Sequence, residues 1–237
     1  MNYSLYQAKK FFIEWKNKEL NNSHIKTIFC PSFTELFIIS EMLKTSSSEL
    51  GAQNVFYDSC GAFTGEISCN MLKEVGCEWV IIGHSERRHI MCENNSIINR
   101  KMHRVISEEL HPILCVGESK EERDSGKTDL ILKEQLELAL KDIDRLKLID
   151  LVIAYEPVWA IGSGVHARPE VIQSAHSVIR NIITESGIDG NSVSILYGGS
   201  VSIDNASSLS KIDEIDGFLI GGASLDVEKF YSIYSKL

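Results

Sequence analysis

Several patterns that indicate a membrane or nucleic-acid-binding protein are missing from this chain of 237 residues. No apolar run approaches the roughly 20 residues that span a bilayer, so a membrane protein is not expected. The 24 Lys and Arg are outnumbered by 33 Asp and Glu and form no basic block, which excludes nucleic acid as an expected partner. Residues 1–4 lack the charged-then-apolar order of a signal peptide.

Disulfide, metal and nucleotide motifs are also missing. The six cysteines are scattered without paired spacing, and several lie in apolar runs where Cys behaves as a small hydrophobe. Free thiols are typical of a reducing compartment, so the sequence predicts a cytoplasmic protein. The seven histidines show no zinc-type spacing, and we expect no metal site. Neither GxGxxG nor a phosphate-loop lysine follows any predicted strand, which argues against a nucleotide cofactor.

Short β-branched apolar runs alternate with amphipathic segments along the whole chain. The predicted strands are residues 24–30, 50–55, 78–82, 112–116, 151–154, 193–196 and 215–220. About eight helices lie around them, beginning with Leu5, Ala8, Phe12 and Trp15 at helical spacing. This alternation predicts seven parallel strands with crossover helices, in either an open doubly wound sheet or a closed barrel. Because no linker or low-complexity segment interrupts it, we expect one domain over residues 1–237.

Polar or glycine-rich clusters follow four of the predicted strands. They are His84, Glu156, Gly198-Gly199-Ser200 and Gly221-Gly222. Each has an ordinary structural interpretation, such as a histidine before a helix, a solvated carboxylate or a tight turn. The carboxyl ends of parallel strands form the ligand-binding edge in both candidate architectures, so their shared placement favours a functional site.

The residue types in these clusters indicate acid–base chemistry on a phosphorylated compound. Turns at Ser200, Gly221 and Gly222 offer backbone N–H groups that bind phosphate without a cation. Glu156 is a candidate base, and His84 a candidate donor to a developing oxyanion. After Glu156 comes an apolar loop that reaches Gly162, a candidate lid. A base, an electrophile, a phosphate cradle and a lid suit proton abstraction next to a carbonyl.

Five long motifs in this chain resemble those of triosephosphate isomerases. They are Ala154-Tyr155-Glu156-Pro157-Val158-Trp159-Ala160-Ile161-Gly162, Ile82-Gly83-His84-Ser85-Glu86-Arg87, Gly51-Ala52-Gln53-Asn54, Gly61-Ala62-Phe63-Thr64-Gly65-Glu66-Ile67-Ser68 and Tyr197-Gly198-Gly199-Ser200-Val201. The resemblance implies a (β/α)8 TIM barrel that interconverts dihydroxyacetone phosphate and glyceraldehyde 3-phosphate without a cofactor.

What is known of that family implies a role for each matching residue. Glu156 would be the base, and His84 a neutral imidazole whose pKa is lowered by a helix N-terminus. Gly162 would be the lid residue whose N–H reaches the phosphate, and Ser200, Gly221 and Gly222 the fixed phosphate donors. Glu86 resembles the acid beside the histidine. The loop tip Phe63-Thr64 resembles one that enters a partner subunit, which implies a homodimer.

Two departures from the family pattern are present, one bearing on the chemistry and one on the kinetics of the lid. The family opens with a strand ending in Asn-x-Lys that supplies a catalytic lysine, whereas this chain begins at the first helix. We therefore expect a barrel with its first strand missing, and Met1 to be an internal methionine of a longer reading frame. In the lid, Val165-His166-Ala167 and Arg168 stand where Lys-Thr-Ala and a capping Thr are common.

Three functional hypotheses remain at this point. The first is an active isomerase. The second is a catalytically impaired barrel without the lysine, retained as a phosphosugar-binding or structural protein. The third is another phosphosugar enzyme of the same architecture. The presence of Glu156, His84 and the phosphate donors together favours the isomerase, because an inactive homologue need not keep them.

Overall fold

The computed structural model describes residues 1–18, 24–148, 150–162 and 167–237, in which seven strands alternate with ten α-helices. The strands are β1 Ile28–Phe29, β2 Glu49–Ala52, β3 Trp79–Ile82, β4 His111–Val116, β5 Val152–Tyr155, β6 Ser194–Tyr197 and β7 Gly217–Phe218. The helices are α1 Leu5–Lys16, α2 Leu36–Leu43, α3 Cys69–Glu74, α4 Ser85–His89, α5 Asn95–Ser107, α6 Lys120–Asp124, α7 Thr128–Ala139, α8 Pro169–Glu185, α9 Ala206–Leu209 and α10 Val227–Tyr234. Short 3-10 helices cover Arg145–Lys147, Val158–Ala160, Gly190–Ser192 and Gly222–Leu225.

All seven strands are parallel, and each pairs with the next along the chain, in the order β1 to β7. A doubly wound sheet has a point where the strand order reverses, and this sheet has none among the described residues. Sequential parallel pairing is the arrangement of a TIM barrel. The structure thus resolves the alternative that periodicity left open, and it confirms the predicted seven strands.

Both faces of the sheet are buried, which explains the nearly continuous apolar character of its strands. One face carries a compact cluster of Trp79, Ile81, Ile113, Cys115, Val152 and Ala154. The alternate residues, among them Val80, Leu114 and Ile153, face the helices and belong to a larger cluster. The strand ends are therefore fixed from two sides, which gives the residues that follow them well-defined positions.

The structure corrects two parts of the predicted secondary structure. The outer strands β1 and β7 have two residues each, although seven and six were predicted, since each pairs on one side only in the described chain. Two short helices, α4 and α6, bring the total to ten rather than about eight. They are polar and too short for a periodic apolar face, and local capping starts them, as in the capping box between Ser119 and Glu122.

An aromatic cluster joins the first helix to the last. Trp15 of α1 packs against Phe29 of β1, with ring centroids 5.3 Å apart, and against Phe230 of α10 at 5.1 Å. Its indole N–H donates to the Ser48 hydroxyl over 3.2 Å. The two ends of the helical layer are thus in contact. Within the described ranges, no helix has the length and apolar character to cross a membrane.

Candidate active site

Glu156 is the first residue after β5, as predicted, and its side chain lies within the protein. Only 2% of its surface is exposed. Its backbone N–H donates to the Val116 carbonyl over 2.8 Å, which continues the pairing with β4 beyond the strand. A Cβ on Gly117 would lie 1.8 Å from the Glu156 carbonyl oxygen, so only glycine fits beside this backbone. Pro157 then ends the strand because it has no N–H to donate.

The start of α4 holds the Glu156 carboxylate. Oε2 accepts the Ser85 backbone N–H at 2.8 Å, while Oε1 lies 3.4 Å from the Ser85 hydroxyl and 3.0 Å from His84 Nε2. The two predicted catalytic residues are thus in direct contact. Ser85 was not predicted as a site residue, although its place directly after His84 in the motif was the available signal.

The hydrogen bonds of His84 define its tautomer. The Glu86 backbone N–H donates to Nδ1 over 3.3 Å, so Nδ1 is unprotonated and the ring hydrogen lies on Nε2, facing Glu156. Burial lowers the pKa of His84. The hydrogen bond to Glu156 and the charges of Glu156 and Glu86 raise it by more than burial lowers it, so the pKa lies above its ordinary value. The pKa direction expected from the family resemblance is the reverse. Contact with the Glu156 carboxylate accounts for the difference.

A second buried carboxylate, Glu118, anchors the start of the candidate lid. It follows β4 and is fully buried. It accepts the Tyr155 hydroxyl at 3.1 Å and the Trp159 indole N–H at 2.9 Å. Arg123 lies 3.4 Å from Glu118 and its guanidinium stacks over the Trp159 ring, 4.6 Å from the centroid. Sequence reasoning missed this contact, although Glu118, like Glu156, is an acid at a strand end.

Only the two ends of the candidate lid are described. Gly162 has φ +65°, a conformation that favours glycine. Residues 163–166, which include Ser163, Gly164, Val165 and His166, lie outside the described residues. Beyond them, Arg168 occupies the N-cap of α8 with no side-chain capping bond, and Pro169 is the first helical residue. The sequence predicted that helix α8 would lack a side-chain cap at Arg168, and the structure confirms it.

The glycine turn after β6 packs directly against Glu156. The Gly198 N–H donates to the Tyr155 carbonyl over 2.8 Å, and a Cβ on Gly198 would lie 2.9 Å from Glu156 Cγ. Ser200 donates its hydroxyl to the Ala160 carbonyl at 2.7 Å, which joins this turn to the lid start. Glu156, the β6 turn and the lid start therefore form one continuous surface.

The turn after β7 offers open backbone. A Cβ built on Gly221 or Gly222 would meet no atom within 4 Å. Gly222 begins the 3-10 helix that ends at Leu225. In the described residues, no group of three or more His, Cys, Asp and Glu side chains is placed to hold a metal ion. The site thus brings a carboxylate and an imidazole into contact beside turns of open glycine backbone.

Comparison with known proteins gives one consistent family. A sequence profile of that family, described as triosephosphate isomerase, matches residues 1–237. A triosephosphate isomerase from Aquifex aeolicus is 49% identical over 208 residues, which cover 87% of this chain and 83% of that protein. The Lawsonia intracellularis enzyme is 47% identical over 87% of this chain and 82% of its own length. A relative from Endomicrobium trichonymphae is 41% identical, with coverage of 100% and 96%. This chain belongs to the triosephosphate isomerase family.

Proposed function

We infer that this chain is a triosephosphate isomerase, which interconverts dihydroxyacetone phosphate and D-glyceraldehyde 3-phosphate in glycolysis and gluconeogenesis. The observation that carries this function is the contact between His84 Nε2 and Glu156 Oε1, at 3.0 Å, on the rim where the parallel strands of a barrel end. Family membership over the whole chain and the relatives named triosephosphate isomerase support it.

We assign the proton transfers to Glu156 and His84. Glu156 would remove a proton from the carbon next to the substrate carbonyl and return it to the neighbouring carbon. The Nε2–H tautomer of His84 gives that ring a donor for the carbonyl oxygen, whose charge grows as the enediolate forms. In the structure this donor faces Glu156, so substrate would take the place of the carboxylate as the partner of His84.

The substrate phosphate is assigned to Ser200, Gly221 and Gly222, with Gly162 joining from the lid. The open backbone at Gly221 and Gly222 supports this assignment, because a phosphate must approach the N–H groups closely. The hydroxyl of Ser200 donates to the Ala160 carbonyl, which links the glycine turn after β6 to the segment that leads to Gly162. This link also supports the phosphate assignment.

The proposed partner is a second copy of this chain, bound through the Phe63-Thr64 loop. Phe63 is 40% exposed, and the loop around it is exposed from residue 60 to residue 66. An exposed aromatic on a turn shaped by two positive-φ glycines, Gly61 and Gly65, suits insertion into a pocket. We place the protein in the cytoplasm because its six cysteines are free thiols.

The test of the proposed function is a coupled assay that follows conversion in both directions with the purified chain. Exchange of substrate hydrogen with heavy water should accompany turnover, because a proton removed by Glu156 can be lost to solvent before it returns. Turnover without hydrogen exchange would point to a different reaction course. Absence of turnover, with the fold intact, would contradict the proposed function.

A further inference from the structure

Arg88, which no motif singled out as functional, connects the end of β3, which leads to His84, to the end of β4. It lies on α4 and is partly buried. Its Nε donates to the Gly83 carbonyl over 2.8 Å, and Nη2 donates to the Cys115 carbonyl over 3.0 Å. Its third nitrogen, Nη1, donates to Asn95 Oδ1 at 2.8 Å. One guanidinium thus ties the residue before His84 to the end of β4.

Arg88 also lines the same narrow crevice as Glu156. Gly83, Ser85 and Gly117 complete much of its wall. A Cβ on Gly83, which has φ +71°, would lie 3.1 Å from the Arg88 guanidinium, so the fit between the two is tight. The position of His84 therefore depends on the backbone of Gly83, whose carbonyl accepts a hydrogen bond from Arg88.

Arg88 forms no ion pair with a carboxylate among the described residues. Glu93 Oε1 already accepts Arg87 Nε at 2.6 Å and Lys101 Nζ at 2.5 Å. In the described part of the chain, no carboxylate lies within ion-pair distance of Arg88. The charges that act on it are those of Glu156 and Glu93, beside the Cys115 thiol.

His84, Cys115 and Arg88 all lie beside Glu156. His84 contacts it through Nε2, which carries a ring hydrogen. Burial raises the pKa of the Cys115 thiol well above its usual value, so this group is uncharged. Arg88 lines the crevice, but its guanidinium binds backbone carbonyls and Asn95 rather than the Glu156 carboxylate.

We propose that Arg88 is a positioning residue for the isomerisation: it joins the backbone before His84 to the end of β4 and so fixes the ring that faces Glu156. This inference rests on the proposed function. Arg88 touches neither substrate nor the reacting atoms, and it acts through the backbone at the ends of β3 and β4.

The test compares Arg88→Met, which removes the hydrogen bonds to both carbonyls, with Arg88→Lys, which keeps the charge without the forked geometry. In Arg88→Met we expect kcat to fall about tenfold or more at little change in KM, because the His84 ring is displaced while the phosphate-binding turns are untouched. In Arg88→Lys kcat should also stay low. Arg180→Met is the matched control, because Arg180, on helix α8, also binds two backbone carbonyls, those of Gly190 and Val193. Its kcat should match the wild type.

The NMR resonance of the His84 ring N–H gives a readout that needs no turnover. It is assigned by its loss in His84→Gln, and it should shift or broaden in Arg88→Met but not in Arg180→Met. An unchanged kcat and an unchanged resonance in Arg88→Met would overturn the proposal, as would wild-type kcat in Arg88→Lys. If Arg88→Met does not fold, Arg88→Gln, whose shorter amide cannot reach both carbonyls, carries the same expectation. A wild type that does not isomerise would contradict the function, while the NMR comparison would still test Arg88.

Discussion

At the scale of single residues, the role proposed for Glu156 can be tested by shortening its side chain. Glu156→Asp retracts the carboxylate by about one methylene, and proton transfer depends steeply on distance. We expect kcat to fall by about 100-fold with a much smaller change in KM, measured by steady-state kinetics. Glu137→Asp, on an exposed position of α7, is the matched control and should behave as wild type. Wild-type kcat in Glu156→Asp would remove Glu156 from the role of base.

Gly222 gives a residue-scale test of the phosphate assignment. A valine there would occupy the open space beside its backbone that a phosphate must enter. We expect Gly222→Val to bind inorganic phosphate about tenfold more weakly in calorimetry, a loss of about 1.4 kcal/mol. Gln173→Val, at an exposed position of α8, is the control. Equal affinities for the two variants would rule out this cradle.

At the scale of elements, helix α8 is held to the segment before β7 by a buried histidine. His176 is fully buried, and its Nδ1 lies 2.8 Å from the Glu214 carbonyl. Nδ1 must carry the hydrogen for this bond, so Nε2 is unprotonated. Nε2 is also buried without a hydrogen-bond partner among the described residues. Burial lowers the pKa of His176 to about 4.

This histidine should make the fold sensitive to acid. The pKa of His176 is about 4 in the folded chain and near 6.5 in the unfolded chain, so the unfolded chain binds a proton more readily. The neutral ring therefore contributes to the free energy of unfolding above pH 6.5, and this contribution is lost as the pH falls toward 4. Between pH 7 and pH 5 the loss is about 2 kcal/mol, measurable by urea unfolding. In His176→Gln this component should disappear, whereas His103→Gln, on the exposed side of α5, should keep it. The same pH dependence in wild type and His176→Gln would show that the ring is not the cause.

At the scale of the whole molecule, the proposed dimer depends on the exposed loop tip. Phe63 packs against Phe56, with ring centroids 4.6 Å apart, yet 40% of its surface remains exposed. Phe63→Asp places a charge in the proposed interface, and desolvation of an unpaired charge is costly. We expect light scattering to show the mass of one chain for this variant and of two for the wild type. Ile13→Asp tests an exposed apolar residue elsewhere, on α1, and should remain dimeric. A dimeric Phe63→Asp would contradict the interface.

Much of the architecture was predictable because it depends on local patterns. Strands buried on both faces must be apolar throughout, so β3, β4 and β5 were found within one or two residues of their bounds. Glu156 and His84 were predicted as site residues because they come within two residues of the ends of such strands, and the structure places them in contact. Helices α4 and α6 were missed because a polar helix of five residues has no apolar period to detect.

Three features were decided only by the tertiary structure. Periodicity is the same in open and closed parallel sheets, so only the pairing order, β1 to β7 without reversal, could distinguish them. The contact between Ser85 and Glu156 spans 71 positions, and that between Glu118 and Trp159 spans 41. Arg88 and Arg87 are neighbours of the same type, yet one pairs with Glu93 and the other binds two carbonyls. Sequence alone determined which residues stand at strand ends. Their partners, and so their charge and protonation, follow from side chains that meet only when the sheet curls and the helices pack against it.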